Sequence, residues 1–115
     1  MTDLADKRCE PCEGGVPPLT AEQAAELMRA LSGHWQLVED GQRIRGEFSF
    51  VGFNRAMAFA NAVAWIAGIE GHHPEITLGY GYCRVDYWTH AIDGLSDNDF
   101  ICAAKIDRLL SGEDG

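Results

Sequence analysis

Three of the four histidines lie where acid/base chemistry is feasible. His72 and His73 are adjacent at the junction of a predicted helix and a predicted strand, and His90 ends a later predicted strand. Imidazole titrates near pH ~6.5, so one histidine can donate a proton at neutral pH while another accepts one. In an alternative interpretation, His72 and His73 only cap the preceding helix. Residue type and spacing alone leave both interpretations open.

Hydrophobic periodicity and end signals predict the elements that must position these histidines. The first helix begins with a capping box, because the Thr20 hydroxyl and the Gln23 amide can each satisfy a donor at the helix end. Pro74 lacks a backbone donor and begins a new extended segment after His73. Helices are predicted over residues 20–32, about 54–69 and from 96 onward, and strands over residues 34–38, 44–51, 76–80 and 82–89.

This order predicts an α+β fold, α-β-β-α-β-β-α, with three helices packed on one face of a four-stranded antiparallel sheet. Residues 1–18 are predicted to be an irregular N-terminal segment, because glycines and prolines near its end interrupt regular structure. Residues 19–112 are predicted to form a single domain, since 115 residues are the length of one ordinary domain.

The last predicted strand carries two kinds of side chain. Its apolar residues share one face, while Arg84, Asp86, Trp88 and His90 share the other. Because the helices cover the apolar face, the opposite face is expected to be free to form a concave site. Asp86 either changes the proton affinity of a neighbour or belongs to a solvated strand face.

Charge and composition exclude several classes of function. The formal net charge of −9 repels phosphate backbones, so direct nucleic-acid binding is not expected. No apolar run approaches the ~20 residues of a membrane-spanning helix. The first residues lack the apolar stretch of a signal peptide, which predicts a cytoplasmic protein. The four cysteines are therefore expected to be free thiols.

The histidine pair lies within a longer motif. Gly71-His72-His73-Pro74-Glu75 is followed by Tyr80, Thr89-His90, Gly94-Leu95 and Asp99-Phe100. This combination resembles the signature of the pterin-4a-carbinolamine dehydratases. The similarity extends over nearly the whole chain, to bacterial-type features at Cys9-Glu-Pro-Cys12, Trp35, Phe48-Ser-Phe50 and Ala104. One departure is Gly68, at a position that is often acidic or polar in that family, with Glu70 close by.

The resemblance implies a reaction. Members of the family remove water from a 4a-hydroxytetrahydropterin and give a quinonoid dihydropterin, which recycles the pterin used by an aromatic amino acid hydroxylase. It implies that His72 and His90 act as acids on the leaving hydroxyl, and that His73 binds the ring and assists as a base. No metal ion or organic cofactor is implied.

Other residues have roles that the sequence leaves open. Trp88 and Thr89 either line the pterin pocket together with His73 or pack within the sheet. Asp99 either orients a histidine or serves as a favourable charge in the first turn of a helix. Cys9 and Cys12 have the spacing of half a zinc site, but no second close pair completes it, so they are interpreted as two reduced thiols.

The family resemblance also admits a second class of function, a non-catalytic binding or assembly partner on the same fold. Such a role would use helix and sheet-edge surfaces rather than the histidines. A histidine-based metal protein is a third interpretation, and it lacks a well-placed carboxylate ligand. The resemblance further implies a homodimer or homotetramer.

Overall fold

The computed structural model describes residues 3–11 and 16–111. It confirms the α+β class and the element order. The elements are α1 (Ala21–Met28), β1 (Trp35–Val38), β2 (Arg43–Ser49), α2 (Phe53–Glu70), β3 (Glu75–Gly79), β4 (Tyr82–Tyr87) and α3 (Asp97–Ser111). The predicted capping box at the start of α1 is present, with Thr20 N–H donating to Gln23 Oε1 at 2.9 Å and Gln23 N–H donating to Thr20 Oγ1 at 3.1 Å. None of the helices within the described ranges is both long enough and apolar enough to cross a membrane.

The four strands form one antiparallel sheet in the order β1-β2-β4-β3. The central pair places Ile44 opposite Tyr87 and Phe48 opposite Cys83, which puts their apolar side chains on the same face. α2 packs on this face through Ala56, Phe59, Ala60, Val63 and Ala67, all buried at the helical spacing seen in the sequence. The covered sheet face and the helices thus share one core.

The uncovered face of the sheet carries a buried ion pair that the sequence did not predict. Asp86 is only 3% exposed, and its carboxylate accepts hydrogen bonds from Arg45 Nε at 2.8 Å and Arg45 Nη2 at 2.9 Å. Arg43 Nη1 lies 3.5 Å from the same carboxylate. Arg45 is directly opposite Asp86 in the β2–β4 register, so the arginine side chains cover the aspartate. Asp86 is therefore part of a buried ion pair and not of a solvated face.

The N-terminal segment packs along α3. Residues Leu4–Asp6 form a 3-10 turn, with Ala5 buried and its carbonyl accepting from Lys105 Nζ at 2.8 Å. This segment covers a second side of α3, and Ile101, Cys102 and Ala104 are buried as well as Phe100, Ala103 and Ile106. Residues 1–18 were predicted to be irregular, and their described part includes this helical turn and extensive contacts with α3. Gly14, Gly15 and residue 112, the predicted end of the domain, lie outside the described ranges.

Asp107 of α3 fixes the connection between α1 and β1. Its carboxylate accepts from the Ser32 N–H and the Ser32 hydroxyl, both at 2.8 Å, and from Trp35 Nε1 at 2.9 Å. Trp35 is 5% exposed, so its indole N–H has little access to water. The loop is thus held by one carboxylate, with three donors arranged around it.

Removal of this carboxylate should destabilise the protein. We expect Asp107→Ala to lower the free energy of unfolding by about 2 kcal/mol, because the buried indole N–H loses its acceptor. Urea denaturation measures the difference. As a control, Glu26→Ala removes an exposed pair with Arg29 and should cost about 0.5 kcal/mol or less. Equal stabilities of the two variants would contradict this view of the loop.

Candidate active site

A cavity of about 520 Å³ lies where the C-terminal end of α2, the start of α3 and the N-terminal segment meet. Its volume is within the range of small-molecule sites. The cavity is lined by Cys9, Glu10, Pro11, Glu70, Gly71, His72, His73, Thr89, His90, Ala91 and Asn98. All three predicted catalytic histidines therefore line one cavity. It lies at the end of the helical layer, not on the uncovered sheet face where the strand pattern had predicted a concave site.

The C-terminal end of α2 positions His72 and His73 at the cavity. Gly71 adopts a left-handed conformation with φ 67°, which a residue without a Cβ does at little cost. The His72 N–H then donates to the Ala67 carbonyl at 3.2 Å, which closes the helix. The backbone of Gly71 and His72 thus forms the helix end. The imidazole of His72 has a different contact, so capping accounts for only part of the motif.

The His72 ring is held on two sides. Its Nε2 lies 2.5 Å from Asp99 Oδ1. The ring stacks on Tyr87, with centroids 5.2 Å apart and planes 13° from parallel, and the Tyr87 hydroxyl donates to the His72 carbonyl at 3.1 Å. A side chain fixed by a hydrogen bond and a stacked ring cannot rotate freely. His72 therefore presents a defined edge to the cavity.

Asp99 is fully buried in the first turn of α3. Its Oδ2 accepts from the Thr89 hydroxyl at 2.9 Å and from the Ser96 N–H at 3.0 Å. The bond to Ser96 satisfies a donor at the helix start, and the positive end of the helix favours the carboxylate charge. Both interpretations of Asp99 thus describe the observed contacts, since it caps its helix and binds a histidine.

His90 lies in a 3-10 turn after β4, and not at the end of the strand as predicted. β4 ends at Tyr87, and Thr89 forms an isolated bridge with Gly94, whose carbonyl accepts the Thr89 N–H at 2.8 Å. His90 then begins a 3-10 turn, His90–Ile92. The chain leaves the sheet here because Thr89 is bound to Gly94, Ser96 and Asp99 instead of to a neighbouring strand.

Trp88 is adjacent to His90 but is not among the residues that line the cavity. The two rings are 4.4 Å apart, and the Arg43 guanidinium lies 3.8 Å from the centroid of the indole. Thr89 does line the cavity, although its hydroxyl is engaged with Ser96 and Asp99. Of the predicted substrate-binding residues, His73 and Thr89 thus lie at the cavity, and Trp88 lies behind His90.

The sequence did not reveal that the N-terminal segment forms a wall of the cavity. Glu70 Oε1 accepts from the Cys9 N–H at 2.8 Å, and Glu70 Oε2 lies 3.1 Å from Arg8 Nε and 3.7 Å from Lys105 Nζ. Glu70 therefore joins the end of α2 to this segment. Gly68, the departure from the family pattern, lies on the exposed side of α2, where an added Cβ would meet nothing within 4 Å.

A family model described as Pterin 4 alpha carbinolamine dehydratase matches residues 17–109. The chain belongs to this family. It is 57% identical over 110 residues to a Nitrosomonas eutropha protein, with 96% of each chain covered. Identity to a Nitrosospira multiformis protein is 60% over 110 residues, covering 96% of this chain and 95% of the relative. The names of both relatives assign them provisionally to pterin-4-alpha-carbinolamine dehydratase.

Two solved structures share the fold of this chain. A transcriptional coactivator/pterin dehydratase from Brucella melitensis has a TM-score of 0.75 at 32% identity, covering 80% of this chain and 97% of that one. A pterin dehydratase-like protein identified as a RuBisCO assembly factor in the alpha-carboxysome has a TM-score of 0.56 at 22% identity, covering 65% of this chain and 87% of that one. The second likeness shows the fold alone.

Two cysteines of this pterin carbinolamine dehydratase family member, Cys9 and Cys102, lie close to the site. Cys9, Cys83 and Cys102 are free thiols, and Cys9 Sγ is 3.5 Å from Cys102 Sγ. Cys12 lies outside the described residues. Within residues 3–11 and 16–111, no three His, Cys, Asp or Glu side chains are grouped so that they could hold a metal ion.

The charge state of His72 depends on Asp99. Burial of the imidazole opposes its protonation, but the hydrogen bond to Asp99 and the charge of that carboxylate outweigh burial and raise the pKa of His72 above its ordinary value. Protonated His72 thus stabilises the fold fully below the unfolded-state pKa of ~6.5. That contribution is lost as the pH rises through the folded-state pKa.

Asp99→Asn should reverse this shift. The amide carbonyl introduced by this change can keep the bonds from Thr89 and Ser96 while the amide nitrogen donates to His72 Nε2, which favours neutral imidazole. We expect the pKa of His72, followed by NMR titration, to fall below that of the wild-type protein. Asp97→Asn, in the same helix turn, removes an equal charge that does not contact His72 and should leave the pKa nearly unchanged. The same pKa of His72 in the wild-type protein and in the Asp99→Asn variant would show that Asp99 does not control it.

Proposed function

We propose that this protein dehydrates a 4a-hydroxytetrahydropterin to a quinonoid dihydropterin, acting in the cytoplasm on the pterin left by an aromatic amino acid hydroxylase. In this reaction the C4a–O bond breaks, a proton leaves N5, and a C4a–N5 double bond forms. Hydroxide is a poor leaving group, so an acid must protonate the departing oxygen and a base must accept the N5 proton. The family membership supports the substrate class.

The observation that carries the proposal is the buried His72–Asp99 pair at the wall of a cavity that two further histidines line. Asp99 engages Nε2, so Nδ1 is the nitrogen of His72 left to meet a substrate. The raised pKa of His72 increases the fraction of imidazolium present at neutral pH. A charged imidazole facing the cavity is suited to deliver a proton to the leaving hydroxyl. Asp99 acts on the substrate only through His72 and is a positioning residue.

His90 is the second acid in this proposal. It reaches the cavity from a different chain segment, after β4, whereas His72 follows α2. Acids on two walls can reach hydroxyls on either face of the pterin ring. His73, which lines the same cavity, binds the ring and accepts the N5 proton. Trp88 supports the His90 ring from behind, and Thr89 shapes the wall beside it.

An assembly function on the same fold remains the alternative. α2 exposes Phe53, Met57, Trp65 and Ile69, and Trp65 is 72% exposed. Large exposed apolar side chains on one helix are typical of an association surface. We propose that this surface supports a homodimer or homotetramer. In the alternative it would receive a different protein, and the histidines would be dispensable.

Purified protein should accelerate loss of water from a freshly generated 4a-hydroxytetrahydropterin. Stopped-flow absorbance should show quinonoid dihydropterin forming faster than in buffer, because positioned acids replace water as proton donors. A folded protein whose trace matched that of buffer would exclude the enzymatic function and favour the assembly role.

The two proposed acids should differ in the substrate stereoisomer they serve. We expect His72→Ala and His90→Ala each to reduce turnover of one isomer by about 100-fold or more and to spare part of the activity on the other. His73→Ala should reduce both, since it holds the ring for either isomer. The measurement is the rate of each folded variant with each stereoisomer.

His34→Ala is the matched control for the histidine series. His34 Nδ1 contacts the Glu47 carbonyl at 3.2 Å and its ring lies against Phe48, away from the cavity. Its removal should leave the rates with both isomers close to wild type. Wild-type rates for His72→Ala and His90→Ala, with activity lost in His34→Ala, would refute the site.

A further inference from the structure

The cavity has a wall that the histidine chemistry does not use. Residues 8–11, here called the N-terminal strap, contribute Cys9, Glu10 and Pro11 to the cavity lining. Two buried side chains hold the strap. Glu70 accepts the Cys9 N–H, and Asn98 binds both backbone groups of Glu10.

The Asn98 contact is reciprocal. Asn98 Oδ1 accepts the Glu10 N–H at 3.1 Å, and Asn98 Nδ2 donates to the Glu10 carbonyl at 2.6 Å. Asn98 is 9% exposed, so the amide has little alternative in water. A side-chain amide that pairs with both backbone groups of one residue fixes the position of that residue. Glu10 is therefore a built part of the wall even though its own side chain is exposed.

The two carboxylates in the lining differ in what they contact. Glu70 is occupied by the Cys9 N–H, Arg8 and Lys105. The carboxylate of Glu10 makes no hydrogen bond or ion pair with any residue in the ranges 3–11 and 16–111. Glu10 thus brings a carboxylate without a partner among the described residues, on a fixed backbone, to the lining of a cavity whose other polar side chains are Cys9, Glu70, the three histidines, Thr89 and Asn98.

Pterins carry a chemical group that matches such a carboxylate. The 2-amino group and N3–H of the pyrimidine ring are adjacent, parallel donors, and a carboxylate can accept both at once. This edge of the bicycle lies on the other ring from N5, so it can face the strap while N5 and the 4a hydroxyl face the histidines. We propose that Glu10 binds the 2-amino and N3–H edge of the pterin and so sets the substrate class. This inference rests on the proposed function for its choice of ligand.

The test is Glu10→Gln, which keeps the backbone bonds to Asn98 and removes the charge. We expect about a tenfold rise in KM with kcat unchanged, and about a tenfold rise in the Kd of a stable 7,8-dihydropterin measured by calorimetry. Asp97→Asn is the control, because Asp97 is an exposed acid next to Asn98 that does not line this cavity. It should leave KM and Kd unchanged.

A second ligand separates recognition from general electrostatics. In a 2,4-dioxo pteridine a carbonyl oxygen replaces the 2-amino group, so one donor becomes an acceptor that faces the carboxylate. The wild-type protein should bind it at least about tenfold more weakly than the 2-amino ligand, and Glu10→Gln should abolish most of that preference. An unchanged preference in Glu10→Gln would overturn the proposal.

The outcomes also distinguish this inference from the proposed function. Dihydropterin binding that depends on Glu10, in a protein without turnover, would support the inference and exclude dehydration. Turnover with a wild-type KM and Kd in Glu10→Gln would support dehydration and overturn the inference.

Discussion

The buried carboxylate of Asp99 is the constraint on which the site depends. An unpaired charge in a protein interior costs several kcal/mol, so each of its lone pairs needs a partner. The partners come from three separate segments: the Ser96 N–H before α3, the Thr89 hydroxyl after β4 and the His72 ring after α2. Displacement of any one segment would leave the carboxylate short of a donor. One charge thus holds together the chain ends from which the cavity is built.

Glu70 has a similar role for the N-terminal strap. Its side chain is 4% exposed, and burial alone would favour its neutral form. The Cys9 N–H and the charges of Lys105 and Arg8 outweigh burial and hold the pKa of this carboxyl below its ordinary value. The N-terminal strap is therefore bound to a charged group at neutral pH. The contact of Cys9 with Cys102 adds a packed sulfur pair behind it, so the strap has a fixed position without a disulfide.

The sequence predicted the helices and strands better than it predicted the course of the segments that connect them. Periodicity located α2 and its buried face because a long helix repeats its pattern many times. It misplaced His90, since strand alternation was extended two residues past Tyr87, where Thr89 turns away to bind Gly94 and Asp99. No local pattern encodes such contacts between distant segments.

Asp86 and Glu10 show why the surroundings of single side chains could not be predicted from the sequence. Asp86 looked solvated because its strand face carries charges, yet its burial depends on which residues the register places across from it. Glu10 belongs to a segment without regular structure, and only its pairing with Asn98, 88 residues away, brings it to the cavity. The three histidines of the motif, by contrast, line one cavity because they sit at element ends that converge.

His72 and Asp99 lie at opposite kinds of helix end, and this favours opposite charges on their side chains. His72 follows the C-terminal end of α2, where free carbonyls create negative potential and favour an imidazolium. Asp99 lies in the first turn of α3, where free N–H groups create positive potential and favour a carboxylate. Each effect is worth roughly 0.3–1 kcal/mol in ordinary settings, and here both act in the same direction. The two helices therefore favour the charged pair over the neutral one, which leaves the proton on the histidine that borders the cavity. In the proposed dehydration this field would favour return of the proton to His72 after each transfer, because the field belongs to the fold and not to the substrate.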